Sequence, residues 1–167
     1  MASIRVRQAR DGDRAALAAL HEREWGGPIV VVHDTRYDLR DLPALVAVDD
    51  GGGFTGALVY RVDADGLEVV SLAASAPGNG AGTALLAAAQ EVARAAGADR
   101  IWLVTTNDNL DALRFYQRRG LRIMAVDAGA VDRARVVKPT IPQVGADGIP
   151  LHDELRLARH LTGAGNK

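Results

Sequence analysis

Hydrophobic and polar positions along the chain repeat with two different periods, and the changes of period mark its elements. Ile4-Arg5-Val6-Arg7 alternates in steps of two, as a half-buried strand does. Asp11 is placed to cap a helix running to about Glu24, with Ala16, Leu17 and Leu20 on one face, and Trp25-Gly26-Gly27-Pro28 stops it. Residues 29 to 42 mix Val30-Val31-Val32 with His33, Asp34, Arg36, Tyr37 and Asp38 and take no firm assignment. Ala44–Val48, Thr55–Val62 and Leu67–Ala74 read as strands separated by the turns Asp49–Gly53 and Asp63–Gly66, which predicts an antiparallel meander. The pattern then changes to a helical one over Thr83–Ala96, with Leu85, Leu86, Ala89, Val92 and Ala96 facing inward and Gly97 as the stop.

Ile101–Thr105 is a short apolar strand, so the strand, helix and strand from Leu67 onward form a βαβ unit with a right-handed crossover. Asn109 caps a further helix over Leu110–Arg119 that Gly120 ends, and Leu121–Val126 is another strand. Ala130–Val137 has weak helical spacing before Pro139. Pro142, Gly145, Gly148 and Pro150 mark a loop, and Leu155–Leu161 reads as a last strand, with helix as the alternative.

At 167 residues the chain suits one domain. With a net charge of −1 and a pI near 6.4 it lacks the basic balance of a nucleic-acid binder. No cysteine is present, which removes disulfides, thiolate metal sites and a cysteine nucleophile. Met1-Ala2-Ser3-Ile4-Arg5 does not resemble a secretory signal, and no apolar run is long enough to span a bilayer, so a cytoplasmic protein away from membranes is expected. His152-Asp153-Glu154 lacks the spacing of a helical metal pair, and no metal is expected.

Gly78-Asn79-Gly80-Ala81-Gly82-Thr83 stands between a strand and a helix. Glycines there permit positive φ and close backbone approach, and the helix N-terminus favours a phosphate; the plainer reading is a tight turn. A P-loop is excluded because no lysine separates Gly82 from Thr83. A dinucleotide fingerprint is excluded because Thr83 falls where its third glycine belongs, which argues against an oxidoreductase.

Joined to Asn109-Leu110-Asp111-Ala112-Leu113-Arg114-Phe115-Tyr116-Gln117-Arg118-Arg119-Gly120-Leu121, this loop resembles the GNAT superfamily of acyl-CoA-dependent N-acetyltransferases. Gly80 and Gly82 match the loop glycines of the family. Asn109, Ala112, Phe115, Tyr116 and Gly120 match its helix, and Leu121 replaces a phenylalanine. Pro77 stands where the family has Arg or Gln, so pyrophosphate binding falls to the N–H groups of Gly78 to Thr83 and to Asn79. The resemblance implies an α/β (α+β) fold with a mixed, mostly antiparallel central sheet, a βαβ acetyl-CoA-binding unit and helices on both faces.

It also implies direct attack of an amine on acetyl-CoA in a ternary complex. Leu72, Ala73 and Ala74 offer backbone donors beside the cofactor, while Asn109, Ala112 and Tyr116 line it from the second motif. Tyr116 is the expected general acid, with a core aromatic as its plainer reading. Glu68 is the expected base, with a solvated strand residue as its plainer reading and His33 as its rival. The acceptor is a small-molecule or peptide amine. The competing function is a silent CoA-binding sensor. Residues 127–152 are read as an insertion between the last two strands, serving either as a lid over the acceptor or as a homodimer contact or surface elaboration.

Overall fold

The computed structural model describes residues 3–162; Met1 and Ala2, part of the start read above as lacking a secretory signal, lie outside them. Its elements are β1 (Arg5–Gln8), α1 (Arg14–Trp25), β2 (Ile29–Val32), β3 (Thr35–Asp38), β4 (Ala44–Val48), β5 (Phe54–Asp63), β6 (Gly66–Ala74), α2 (Ala81–Ala95), β7 (Arg100–Thr106), α3 (Leu110–Arg118), β8 (Arg122–Asp127), α4 (Ala130–Val137) and β9 (Glu154–His160). The fold is mixed α/β, with a mostly antiparallel central sheet and four helices. It divides into two compact units. The first takes the chain up to Pro28, Asp38–Ile101 and the segment from Leu161; the second takes Ile29–Tyr37 and Trp102–His160.

In the first unit the meander forms as the pattern predicts. β4 pairs with β5, and β5 with β6, all antiparallel, while β1 joins the outer edge of β4 with Arg5 opposite Val48. β4 is buried along its whole length, and Leu58, Val59 and Leu67 continue the core. Helix α2 lies on this sheet through Ala81, Leu85, Leu86, Ala89 and Ala93. Each fully buried leucine contributes about 1.5–3 kcal/mol. Ala93 is on the buried stripe where Val92 was expected, and Ala96 is an exposed C-cap, so the stripe is narrower than the composition suggests.

Helix α1 departs from expectation at its start. Asp11 opens a single 3₁₀ turn and Asp13 is the N-cap of α1; the Asp13 side chain makes no cap bond to α1 but closes the 3₁₀ turn, accepting the Arg10 N–H at 2.7 Å and pairing with Arg7 at 2.7 Å. Those contacts hold the Asp13 carboxyl below the usual carboxylate range.

The second unit contains the stretch that sequence patterning left open. Residues 29–38 form a β2–β3 hairpin whose turn residues, His33 and Asp34, have φ of 39° and 60°. Tight hairpins usually place Asn or Gly there, so the turn gave no sequence signal. β9 is a strand, antiparallel to β8 with Arg122 opposite Ala158 and Asp127 opposite Glu154.

Residues 127–152 are folded and tied down. Arg135 reaches the carbonyls of Ile141, Pro142 and Leu151 as well as Asp132. Lys138 donates to the Ile29 carbonyl at 2.7 Å, and His152 Nδ1 lies 2.8 Å from Asp132. Among the described residues no helix is long and apolar enough to cross a membrane.

Arg135→Met should strand three carbonyls together. Buried groups left unsatisfied cost about 1–3 kcal/mol each, partly relieved by water, so a net loss near 2 kcal/mol is expected. Thermal denaturation should show a fall of about 4–8 °C. Arg114→Ala, at the exposed pair with Asp111, should leave the midpoint nearly unchanged.

Candidate functional site

β6 carries the first group of predicted residues. Leu72, Ala73 and Ala74 are half-buried and register with Leu58, Ala57 and Gly56 of β5. Gly56 is required here: a Cβ would stand 2.8 Å from the Ala73 carbonyl oxygen and 3.1 Å from the Ala74 Cα. Two residues before Leu72 the register slips, because Val59 pairs with Ser71 and Tyr60 with Val69, leaving Val70 as an extra residue. Bulges of this kind interrupt pairing and re-aim neighbouring groups.

Glu68, on the N-terminal half of β6, is not a solvated strand residue. It is 1% exposed, registers with Arg61, and its carboxylate lies 4.0 Å from the Arg61 guanidinium. A buried carboxylate needs such a partner, because unpaired burial of charge is costly.

The loop after β6 contains both left-handed glycines, Gly78 at φ +75° and Gly80 at φ +82°, and nothing stands within 4 Å of where their Cβ atoms would be. The glycines therefore serve backbone conformation and leave the outer surface of the loop open. Gly80 is the N-cap, so α2 begins at Ala81, two residues earlier than periodicity suggests. Alanine and glycine carry little periodic signal, which hid the first turn.

Ala81, Gly82 and Thr83 form that turn. The Ala81 N–H donates to Asn79 Oδ1 at 2.9 Å, whereas the N–H groups of Gly80 and Gly82 donate no hydrogen bond among the described residues. The other end of the Asn79 amide donates to the Thr55 carbonyl at 3.4 Å. Asn79 is thus a brace for the loop. Pro77 is exposed. A cation that sequence reasoning missed is Arg23 of α1, which donates to the Ala74 carbonyl at 2.8 Å and the Ser75 carbonyl at 3.2 Å. Only a tertiary contact across 51 residues brings it there.

Beside α1 lies a cleft of about 920 Å³, walled by Leu17, His21, Leu39, Leu42, Ala44 and Val59 among others. His21 is 4% exposed, and burial lowers its pKa, so the ring is neutral at neutral pH.

The second unit holds the other motif. Asn109 is the N-cap of α3, with Oδ1 accepting the Ala112 N–H at 3.1 Å. Ala112 is half-buried on the first turn. Tyr116 is 8% exposed, with its ring edge-on to Phe115 at 5.2 Å, and burial pushes its phenol well above the usual tyrosine range. No hydrogen bond to its hydroxyl is found among the described residues. Arg119 stacks on Phe115 at 3.7 Å, and Gly120 at φ +86° ends the helix. Asp108, which sequence reasoning passed over, is buried and accepts the Ala146 N–H at 2.9 Å, tying the start of α3 to the excursion before β9.

The predicted rival base, His33, sits in the β2–β3 turn with Nδ1 3.2 Å from Thr35 Oγ and Nε2 3.3 Å from the Tyr37 hydroxyl. Both ring nitrogens therefore have a hydroxyl neighbour within the hairpin.

The sequence matches the model of the acetyltransferase (GNAT) family over residues 13–121. It is 37% identical over 137 residues to the uncharacterized protein YdhI of Bacillus subtilis (strain 168), covering 82% of this chain and 86% of that protein. To the uncharacterized protein YxbD of the same organism it is 37% identical over 145 residues, covering 87% and 91%. Among solved structures it is similar to a GNAT family acetyltransferase from Elizabethkingia anophelis with acetyl-CoA bound, at a TM-score of 0.73 and 18% identity, covering 95% of this chain and 98% of that one. It is also similar to the IAA acetyltransferase from Bacillus cereus ATCC 14579, at a TM-score of 0.69 and 24% identity, covering 95% and 100%.

Asn79→Ala removes both the helix brace and the Thr55 tether. Loss of such a cap costs about 1 kcal/mol. The expected result is a slightly lower melting temperature together with faster amide exchange confined to residues 75–84; uniform protection would count against the bracing role.

Proposed function

Because the chain belongs to the GNAT acetyltransferase family, we propose that it transfers an acetyl group from acetyl-CoA to a primary amine by direct attack, with both substrates bound together. The observation that carries this reading is the glycine loop. Its two left-handed glycines present an open backbone surface, and the N–H groups of Gly80 and Gly82 point to an anion at the start of α2. Gly78 and Thr83 complete the assigned cradle. Pro77 brings no donor, and the Arg23 guanidinium, itself paired with Glu24 at 3.0 Å, holds the loop entrance through the Ala74 and Ser75 carbonyls.

Bound acetyl-CoA supplies the activated thioester. The protein's part is assigned as follows. Backbone N–H groups of Leu72 to Ala74, beside the Val70 bulge, hold the acyl oxygen as negative charge develops; one such donor is worth about 10²–10³ in rate. Tyr116 is assigned as the proton donor to the departing sulfur; burial keeps its phenol protonated at neutral pH, and the same burial opposes formation of the phenolate. Glu68 takes the proton of the acceptor ammonium through water. Asn109 both caps α3 and, with Ala112, lines the cofactor.

Acetyl-CoA should raise the melting temperature by ligand linkage. Gly80→Leu, which forces a branched side chain into the left-handed loop, should abolish that rise while the protein still folds. Absence of any rise with the unaltered chain would remove the cofactor assignment.

With an amine panel, Tyr116→Phe should lower kcat by about 10²–10⁴ while leaving acetyl-CoA affinity nearly unchanged. In the unaltered enzyme the rate should not fall through the pH range where free tyrosine ionises, because the buried phenol titrates above it. An unchanged kcat in the variant would return Tyr116 to a packing role. Absence of thioester cleavage with every amine would favour a CoA-binding module without turnover.

A further inference from the structure

A buried carboxylate in the second unit has no part in the scheme above. Glu154, the first residue of β9, is 4% exposed, and one of its oxygens accepts the backbone N–H of His33 at 3.0 Å. Its side chain takes no other hydrogen bond or ion pair among the described residues. One bond leaves most of a carboxylate's accepting capacity unused. Its second oxygen is not among the buried polar atoms that lack a partner, so it reaches the surface and is open to a donor from outside the chain.

The surroundings indicate what kind of donor. His33 and the following Asp34 both hold the left-handed backbone that a two-residue hairpin turn requires, and the His33 N–H meets Glu154 from that turn. The His33 ring lies 5.3 Å from the Trp102 ring and 5.7 Å from the Tyr37 ring, so the turn that the carboxylate holds by its backbone carries an aromatic cluster. The Trp102 indole N–H is buried without an acceptor.

Charged groups nearby leave a negative balance. Asp34 and Asp127 share Arg133, at 2.9 and 2.7 Å, and Arg156 stacks on Trp102 at 4.4 Å. Together with Glu154 these make three carboxylates against two guanidinium groups. Burial chiefly, and the fields of Asp127 and Asp34, raise the Glu154 pKa, while the His33 contacts oppose them. A cation would relieve that destabilisation of the charged form.

We propose that Glu154, flanked by His33, Tyr37 and Trp102, is the recognition site for the ammonium group of the acceptor. The assignment rests on the amine-acceptor reading above and specifies the substrate as a cationic amine. An ammonium brings three donors, of which the open Glu154 oxygen takes one in a charge-assisted bond. The aromatic rings attract the same charge through their faces. A neutral molecule of the same shape gains neither.

The test uses the full chain labelled with ¹⁵N, without acetyl-CoA. Its two tryptophans give two indole resonances, and Trp25→Phe assigns that of Trp102. Tyramine, spermidine and glycinamide are titrated, with 4-ethylphenol as the neutral counterpart of tyramine. At least one amine should shift the Trp102 resonance saturably, and 4-ethylphenol should not.

Glu154→Gln retains an oxygen for the His33 N–H but loses the charge, and should weaken amine binding at least about tenfold. Glu154→Asp retains the charge and should bind more tightly than the glutamine variant. A carboxylate serving only to staple the turn would reverse that order in thermal stability and leave amine binding untouched, because aspartate falls short of His33. No shift with any amine, equal shifts with 4-ethylphenol, or unaltered affinity in Glu154→Gln would overturn the proposal. Should Glu154→Gln fail to fold, His33→Asn, which tolerates the left-handed turn, should still weaken amine binding, and unaltered affinity there would overturn it too. Amine binding without an acetyl-CoA thermal shift would sink the acetyl-transfer reading and leave this site standing.

Discussion

The carbonyl oxygen of Thr55 accepts from the Ser75 N–H at 2.8 Å, the Ser75 hydroxyl at 3.1 Å and the Asn79 side-chain amide at 3.4 Å. The glycine loop depends on that convergence. Glycine permits φ near +80° but does not hold it, and each loop glycine adds conformational entropy that opposes order. Asn79 links the Thr55 anchor to the first N–H of α2, and Arg23 closes the loop entrance through two carbonyls. Order in the loop is therefore imposed by β5 and α1, while the N–H groups of Gly80 and Gly82 donate no hydrogen bond among the described residues.

In the second unit the comparable constraint is the satisfaction of backbone groups along residues 127–152. A connection of this length usually lies on the surface, where water can satisfy it. Here side chains do much of that work: Arg135 collects three carbonyls, Asn107 accepts the N–H groups of His152 and Asp153, and Asp153 accepts that of Gly129. The same ties fix the approach to β9 and hence the position of Glu154, so the segment governs a chemical group as well as its own shape.

Burial differentiates the titratable groups. Tyr116 keeps its proton because the phenolate would be desolvated, His21 stays neutral for the mirrored reason, and Glu154 is pushed toward protonation. None of these directions follows from residue type. Each comes from the depth at which the fold places the side chain.

The meander, the α2 and α3 helices and the two motifs were legible in the sequence because each rests on local physics: period two between turn residues, period 3.6 with a capping asparagine, and glycine where left-handed backbone is needed. Asn109 as a cap and Gly120 as a stop are contacts within a few residues. What stayed hidden is non-local or lacks a local signal. The β2–β3 hairpin turns on His33-Asp34, which carry no turn signature, and α2 starts in a glycine–alanine stretch with little periodicity. Arg23, Asp108 and Glu154 look like ordinary charged residues until partners 51, 38 and 121 positions away reach them. Whether Glu68 was solvated or buried was likewise undecided, because alternation gives a residue's side of a strand but not what covers that side. The sequence by itself determined the family and the elements whose signals are local. The tertiary structure alone decided which charges are buried and with whom, since desolvation depends on what the rest of the chain packs around them.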